Sequence, residues 1–117
     1  MGSAYELDLS KNNLLIKEDE FLDHLPLTSY GYAKNVAARI IKDTENFYNL
    51  RIFGNFHETE SDKRFFKKVV TEPEITISND ICIDYIYMAD ILPMVDLAVR
   101  GGCQERDINL VYPVKYR

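Results

Sequence analysis

The chain is poor in the residues that build metal and nucleotide cradles. Its two cysteines, Cys82 and Cys103, stand far apart, and its two histidines, His24 and His57, have no partner at ligand spacing. No metal site is therefore expected, and the cysteines read as two free thiols of a cytoplasmic protein. Only five of 117 residues are glycine, and none forms Gly-x-Gly-x-x-Gly or a related turn. A dinucleotide pyrophosphate normally rests on such a turn at a helix N-terminus, so the usual cradle is missing. The net charge is −5 and there is no basic tract, which argues against nucleic acid as a partner. No apolar run is long enough to span a membrane, no signal peptide opens the chain, and the expected location is the cytoplasm. Internal repeats and low-complexity segments are absent too.

What remains is a globular composition, 46% hydrophobic and 28% charged, with length for one core. Residues 4–27 read as an irregular loop, with a turn at Asn12-Asn13, a short extended piece over Leu14 to Ile16, and an acidic surface stretch from Lys17 to Asp23. Pro26 and a cap at Thr28 or Ser29 open a helix that runs to about Asn46. Ala33, Val36, Ala37, Ile40 and Ile41 recur at helical spacing and predict its buried stripe. Tyr48 to Gly54 reads as an interior strand ended by a glycine turn. Lys63 to Val70 reads as a short amphipathic helix with Phe65, Phe66 and Val69 inward, stopped by Pro73. Its Lys63-Arg64 and Lys67-Lys68 pairs read as a solvated face, with contact to an anionic substrate as the alternative. Ile75 to Ile77 and Ile81 to Tyr87 are strand-like and joined through Ser78-Asn79-Asp80. Ala89 to Arg100 is helical, with Pro93 near its first turn and Gly101-Gly102 at its end. Asp107 to Tyr112 is a last strand, ended by Pro113. Helices alternate with strands, so the fold class is α/β.

Tyr30 and Lys34 carry the chemistry. Four residues apart on a helix, they share one face. The ammonium favours the ionised phenol, and such a phenol is a general acid or base for alcohol–ketone interconversion. Tyr32 points to another side and cannot replace Tyr30. Ser3 lies well upstream as a possible third member.

Several segments in register resemble one family. Ser29-Tyr30-Gly31-Tyr32-Ala33-Lys34 resembles a Pro-Tyr-Gly-x-Ser-Lys catalytic helix. Leu50-Arg51-Ile52-Phe53-Gly54-Asn55-Phe56 resembles a Leu-Arg-x-Phe-Asn-x-Tyr-Gly strand and turn. Asp84-Tyr85-Ile86-Tyr87-Met88-Ala89-Asp90 resembles Arg-Asp-Phe-Ile-Tyr-Val-Asp-Asp. Gly2 to Asp8 resembles the loop bearing an active-site serine or threonine, and Lys17-Glu18-Asp19 the Lys-Glu-Asp that follows it. These are motifs of the extended short-chain dehydrogenase/reductases, the NAD-dependent epimerase/dehydratase family that acts on nucleotide sugars.

The resemblance implies a partial Rossmann-like, doubly wound sheet carrying the catalytic helix and part of the substrate-binding region. Residues 1–117 would form a single partial domain, the middle-to-C-terminal part of such an enzyme. It implies catalytic roles for Ser3, Tyr30 and Lys34. Tyr30 would exchange the proton of a sugar hydroxyl, Ser3 would hydrogen-bond the reacting oxygen, and Lys34 would bind the nicotinamide ribose. Tyr30, Lys34 and the backbone at Phe53 would contact NAD or NADP, and Gly54 and Asn55 would face the substrate. Arg64 joins the substrate-binding residues by its charge alone, as a contact to a phosphate. The cofactor belongs to the intact enzyme, and the chain alone is expected to bind it poorly and to be inactive. A homo-oligomer through the Tyr30 helix is the implied assembly. Three positions depart from the family pattern. Gly54 replaces an asparagine, His57 a glycine, and Ile83 an arginine that clamps the nucleotide diphosphate. The alternative is a non-catalytic module that only oligomerises or pairs with a separate cofactor-binding subunit. Loss of half a doubly wound sheet predicts a marginal or association-prone chain.

Overall fold

The computed structural model describes residues 1–8, 10, 16–77 and 83–112. They form an α/β domain with two small parallel sheets and three α-helices. The elements are β1 (Gly2–Ser3), α1 (Ser29–Lys42), β2 (Asn49–Ile52), β3 (Gly54–Phe56), α2 (Phe65–Thr71), β4 (Tyr85–Tyr87), α3 (Met88–Val99) and β5 (Asp107–Leu110). Two 3-10 turns, Ala4–Glu6 and Glu20–Asp23, lie between β1 and α1. The larger sheet has the order β1-β2-β5, with Ser3 opposite Ile52 and Ile52 opposite Leu110. The smaller sheet pairs β3 with β4, Gly54 opposite Tyr85.

Strand alternation gives the larger sheet two unlike faces. On one face Leu50 and Leu110 join Ile86 and Ile91 in an apolar core, flanked by Ile52, Met94, Val95 and Ile108. The other face is polar and equally buried. Arg51 is 1% exposed and bonds Glu6, Asp107 and Asn109, while Asn49 reaches Glu6 and Asp107. Phe21 lies under the guanidinium, 4.9 Å from ring centroid to Cζ, and packs with Leu7 and Ala38.

The two 3-10 turns lie against α1 and decide which of its residues face inward. The buried residues of α1 are Gly31, which meets Tyr5 O, Asn35, which donates to Glu6 O and Phe21 O, and Ala38, which packs on Leu7 and Phe21. The predicted apolar stripe turns outward instead: Ala33, Val36, Ala37 and Ile40 are exposed, and only Ile41 is half-buried. The acidic stretch from Lys17 to Asp23 is likewise not all surface, since Phe21 is fully buried. The helix ends at Lys42, four residues early, and Asn46 takes a left-handed φ of 63° in the turn that follows.

Other boundaries shift for local reasons. Gly54 opens β3 rather than ending β2, because the chain bends at Phe53 and pairs anew with β4. Residues 75–77 form no strand, and β4 covers only Tyr85–Tyr87. Phe66 alone of the predicted inward residues of α2 is half-buried, stacked on Phe56 at 4.7 Å, while Phe65 and Val69 are exposed. Pro93 is the sixth residue of α3, in its second turn, so one helical hydrogen bond is missing there. The end of α3 follows expectation: Gly101, at φ +73°, bonds Ala98 O, and Gly102 bonds Leu97 O. The Asn12-Asn13 turn, Leu14, Leu15, the Ser78-Asn79-Asp80 link, Ile81, Cys82 and Pro113 lie outside the described residues.

Tyr112, after β5, ties the two sheets together. Its hydroxyl donates to Asp90 Oδ2 at 2.5 Å and accepts from Tyr87 N at 3.2 Å. The bond to Asp90 raises the Tyr112 phenol above its ordinary value. Among the described residues no helix is long and apolar enough to cross a membrane, and no acidic, histidine or cysteine group could hold a metal.

Candidate active site

A cavity of about 560 Å³ opens where β1 and β2 end, lined by Ser3, Tyr30, Lys34, Phe53, Gly54, Asn55 and Arg64. All seven residues singled out from the sequence meet there. Ser3 is the last residue of β1 and Phe53 directly follows β2, so the cavity lies at the carboxyl ends of parallel strands. In open α/β sheets that is where ligands bind.

Close backbone approach sets the first wall. A Cβ at Gly31 would lie 2.3 Å from Tyr5 O and 2.9 Å from Pro26 Cβ. Only glycine lets α1 press against the Ala4–Glu6 turn. Thr28 Oγ1 caps α1 by accepting from Gly31 N at 3.0 Å. One turn further, Asn35 donates to Glu6 O at 2.8 Å and Phe21 O at 3.0 Å, clasping both 3-10 turns. Its Oδ1 accepts from Arg39 Nε at 2.7 Å. Tyr30 then stands edge-on to Tyr5, ring centroids 5.7 Å apart. The Lys34 ammonium lies 5.8 Å from the Tyr30 ring centroid and donates to Met1 O at 3.3 Å.

Ser3 is held by a capping box. Its Oγ accepts from Tyr5 N at 3.3 Å, and Glu6 Oε1 accepts from Ser3 N at 2.8 Å. The hydroxyl hydrogen of Ser3 is left to donate elsewhere. Glycine is needed at position 2, where a Cβ would lie 2.4 Å from Asn49 Oδ1 and 2.7 Å from Glu6 Oε1.

The opposite wall comes from the smaller sheet and α2. Tyr85 lies across Gly54, where a Cβ would sit 2.7 Å from its ring. Phe66 meets that ring edge-on at 4.7 Å. Arg64 donates to Asn55 O at 2.8 Å and Asn55 Oδ1 at 3.1 Å, and its Nε lies 3.5 Å from Glu60. Arg64 thus braces β3 against the start of α2 at the cavity rim.

Sequence reasoning missed Tyr5, Phe65 and Tyr85, which line the same cavity, and read Lys63 first as part of a solvated face. Tyr85 stood inside a recognised segment but reads as an ordinary strand residue. Nothing local marks Tyr5. Beyond the cavity, the Tyr87 hydroxyl donates to Glu58 Oε1 at 2.5 Å. That bond holds the Glu58 carboxyl below its usual range and the phenol above its own. A smaller cavity of about 200 Å³ opens at the amino ends of the strands, beside Glu18, Asn49, Arg106 and Asp107, and holds none of the seven residues.

Comparison of the chain with family models, with curated proteins and with solved structures finds no match in any of the three.

Proposed function

We propose that the chain is the acid–base and substrate-binding portion of an NAD- or NADP-dependent nucleotide-sugar epimerase, dehydratase or reductase, of the extended short-chain dehydrogenase/reductase type. The observation that carries this reading is the convergence of Ser3, Tyr30, Lys34, Phe53, Gly54, Asn55 and Arg64 on one cavity. The parallel order β1-β2-β5, with α1 between β1 and β2, supports it as part of a doubly wound sheet.

In this reading a sugar hydroxyl lies against Tyr30. As its carbon is oxidised, the hydroxyl proton passes to the Tyr30 phenolate, and the resulting phenol gives the proton back on the return step, with the Lys34 ammonium beside the ring. Ser3 donates its hydroxyl hydrogen to the reacting oxygen. A nicotinamide cofactor held beside Tyr30, Lys34 and Phe53 would supply the hydride chemistry. Tyr30, Lys34 and Phe53 fit only its ribose–nicotinamide end, and no glycine-rich turn in the chain meets its pyrophosphate.

The exposed Val36 and Ile40 on α1 favour a second reading, a non-catalytic module that associates with a second copy through this helix. Titration of NAD and NADP into the purified chain separates the two readings, and nucleotide-sugar assays on a version of the protein that includes a cofactor-binding half test the first. Cofactor-dependent turnover that falls about 100-fold or more in Tyr30→Phe supports it. Turnover unchanged in Tyr30→Phe overturns it. Absence of cofactor binding, with a dimer that Ile40→Lys dissolves, favours the module.

A further inference from the structure

The cavity is electropositive in an acidic chain. Among the described residues three cationic side chains line it, Lys34, Lys63 and Arg64, against the one carboxylate of Glu60, whereas the whole chain carries −5. Two of the three are engaged. Lys34 donates to Met1 O, and Arg64 is held by Asn55 and Glu60. Glu60 is itself occupied, accepting from Lys67 N as well as facing Arg64. Lys63 differs. Its backbone N–H donates to Ser61 Oγ at 3.4 Å, and among the described residues its ammonium meets no carboxylate within ion-pair distance. An exposed lysine that lines a cavity and has no carboxylate partner among the described residues is placed to receive an anion, and Ile83 in the same lining brings no charge.

We propose that Lys63 is the anion anchor of this cavity and binds the diphosphate of the nucleotide sugar. The proposal rests on the nucleotide-sugar reading and moves the phosphate contact from Arg64, where charge alone had put it, to Lys63. The ligand then runs between two walls. Its sugar lies toward Tyr30, Lys34 and Ser3, and its diphosphate toward Lys63. Arg64 acts by positioning, since its bonds to Asn55 fix the loop from which Lys63 projects. Lysine serves as a flexible point charge here and needs no bidentate geometry.

Titration of the isotope-labelled full chain with inorganic pyrophosphate, followed by NMR, tests the assignment. Wild type is expected to bind with shifts at Lys63, Arg64 and Asn55, weakening as salt rises. Lys63→Met is expected to weaken binding about tenfold, as loss of one charge-assisted contact does. Lys67→Met is expected to leave it unchanged, because that ammonium is turned to Glu58 O. Equal loss in Lys63→Met and Lys67→Met would mean a diffuse field and overturn the proposal. Loss in Lys34→Met with none in Lys63→Met would also overturn it, while leaving the cavity an anion site. Absence of pyrophosphate binding by wild type overturns it as well. None of these outcomes touches the role of Tyr30, which the turnover assay tests separately.

Discussion

Arg51 Nε lies 2.8 Å from Glu6 Oε2, with both side chains only 1% exposed. This ion pair joins the turn that follows Ser3 to the middle of β2. It also sets where the first wall of the cavity stands. Removing one member leaves an uncompensated buried charge, which costs far more than the pair contributes. Arg51→Met is therefore expected to destabilise the fold by about 3–5 kcal/mol, measured by urea unfolding. A change near zero would mean that water reaches Glu6.

Gly31 is the second point of control. A methyl group there meets Tyr5 O at 2.3 Å and cannot be absorbed by a rotamer change. Gly31→Ala is expected to cost about 1–3 kcal/mol and to push α1 away from the Ala4–Glu6 turn. The nuclear Overhauser contacts between the rings of Tyr5 and Tyr30 should then disappear. Their persistence at wild-type strength would show that Gly31 does not set this wall.

The sequence made α1, α3, β2 and β5 legible because apolar periodicity and caps mark them directly. Thr28, Gly101 and Gly102 do what their residue types predict. It misled on which side of α1 faces inward. Val36 and Ile40 have the right spacing for a core, but α1 faces the 3-10 turns at Ala4–Glu6 and Glu20–Asp23, whose carbonyls at Glu6 and Phe21 select Asn35. Those turns lie well upstream of Asn35 in the chain, so no local window contains them. That Ser3, Tyr30, Lys34, Phe53, Gly54, Asn55 and Arg64 share one cavity followed from motif order alone. Tyr5 and Tyr85 did not show, since only the packing of Gly31 and Gly54 brings them there.

The buried network also sets a pH response. Burial raises the Asp107 carboxyl above its ordinary value, against the lowering pull of Arg51, and Glu6 raises it further. The folded chain thus holds this proton more tightly than the unfolded chain. The contribution of this group to stability therefore grows as pH falls through the raised folded value, and is fully present below the ordinary aspartate value. Asp107→Asn should flatten that part of the stability curve while keeping a fold, because Glu6 still pairs Arg51. An unchanged slope in the variant would assign the response elsewhere.

Tyr85 and Gly54 form a coupled pair across β3 and β4. Gly54→Asn drives a side chain into the Tyr85 ring and should cost about 1–3 kcal/mol. Adding Tyr85→Ala should recover part of that loss, since the two positions share one space. Strictly additive effects in the double variant would contradict this close packing.

The claim at the centre of the account is that one cavity, at the carboxyl ends of β1 and β2, receives a nucleotide sugar. Titration of the labelled chain with UDP-, GDP-, CDP- and dTDP-hexoses, mapped residue by residue by NMR, tests it most directly. The account predicts that at least one of them shifts Ser3, Tyr30, Lys34, Phe53 and Gly54 together. Shifts confined to Glu18, Asn49 and Asp107 at the opposite end of the strands, or no shifts with any of the four, would contradict it.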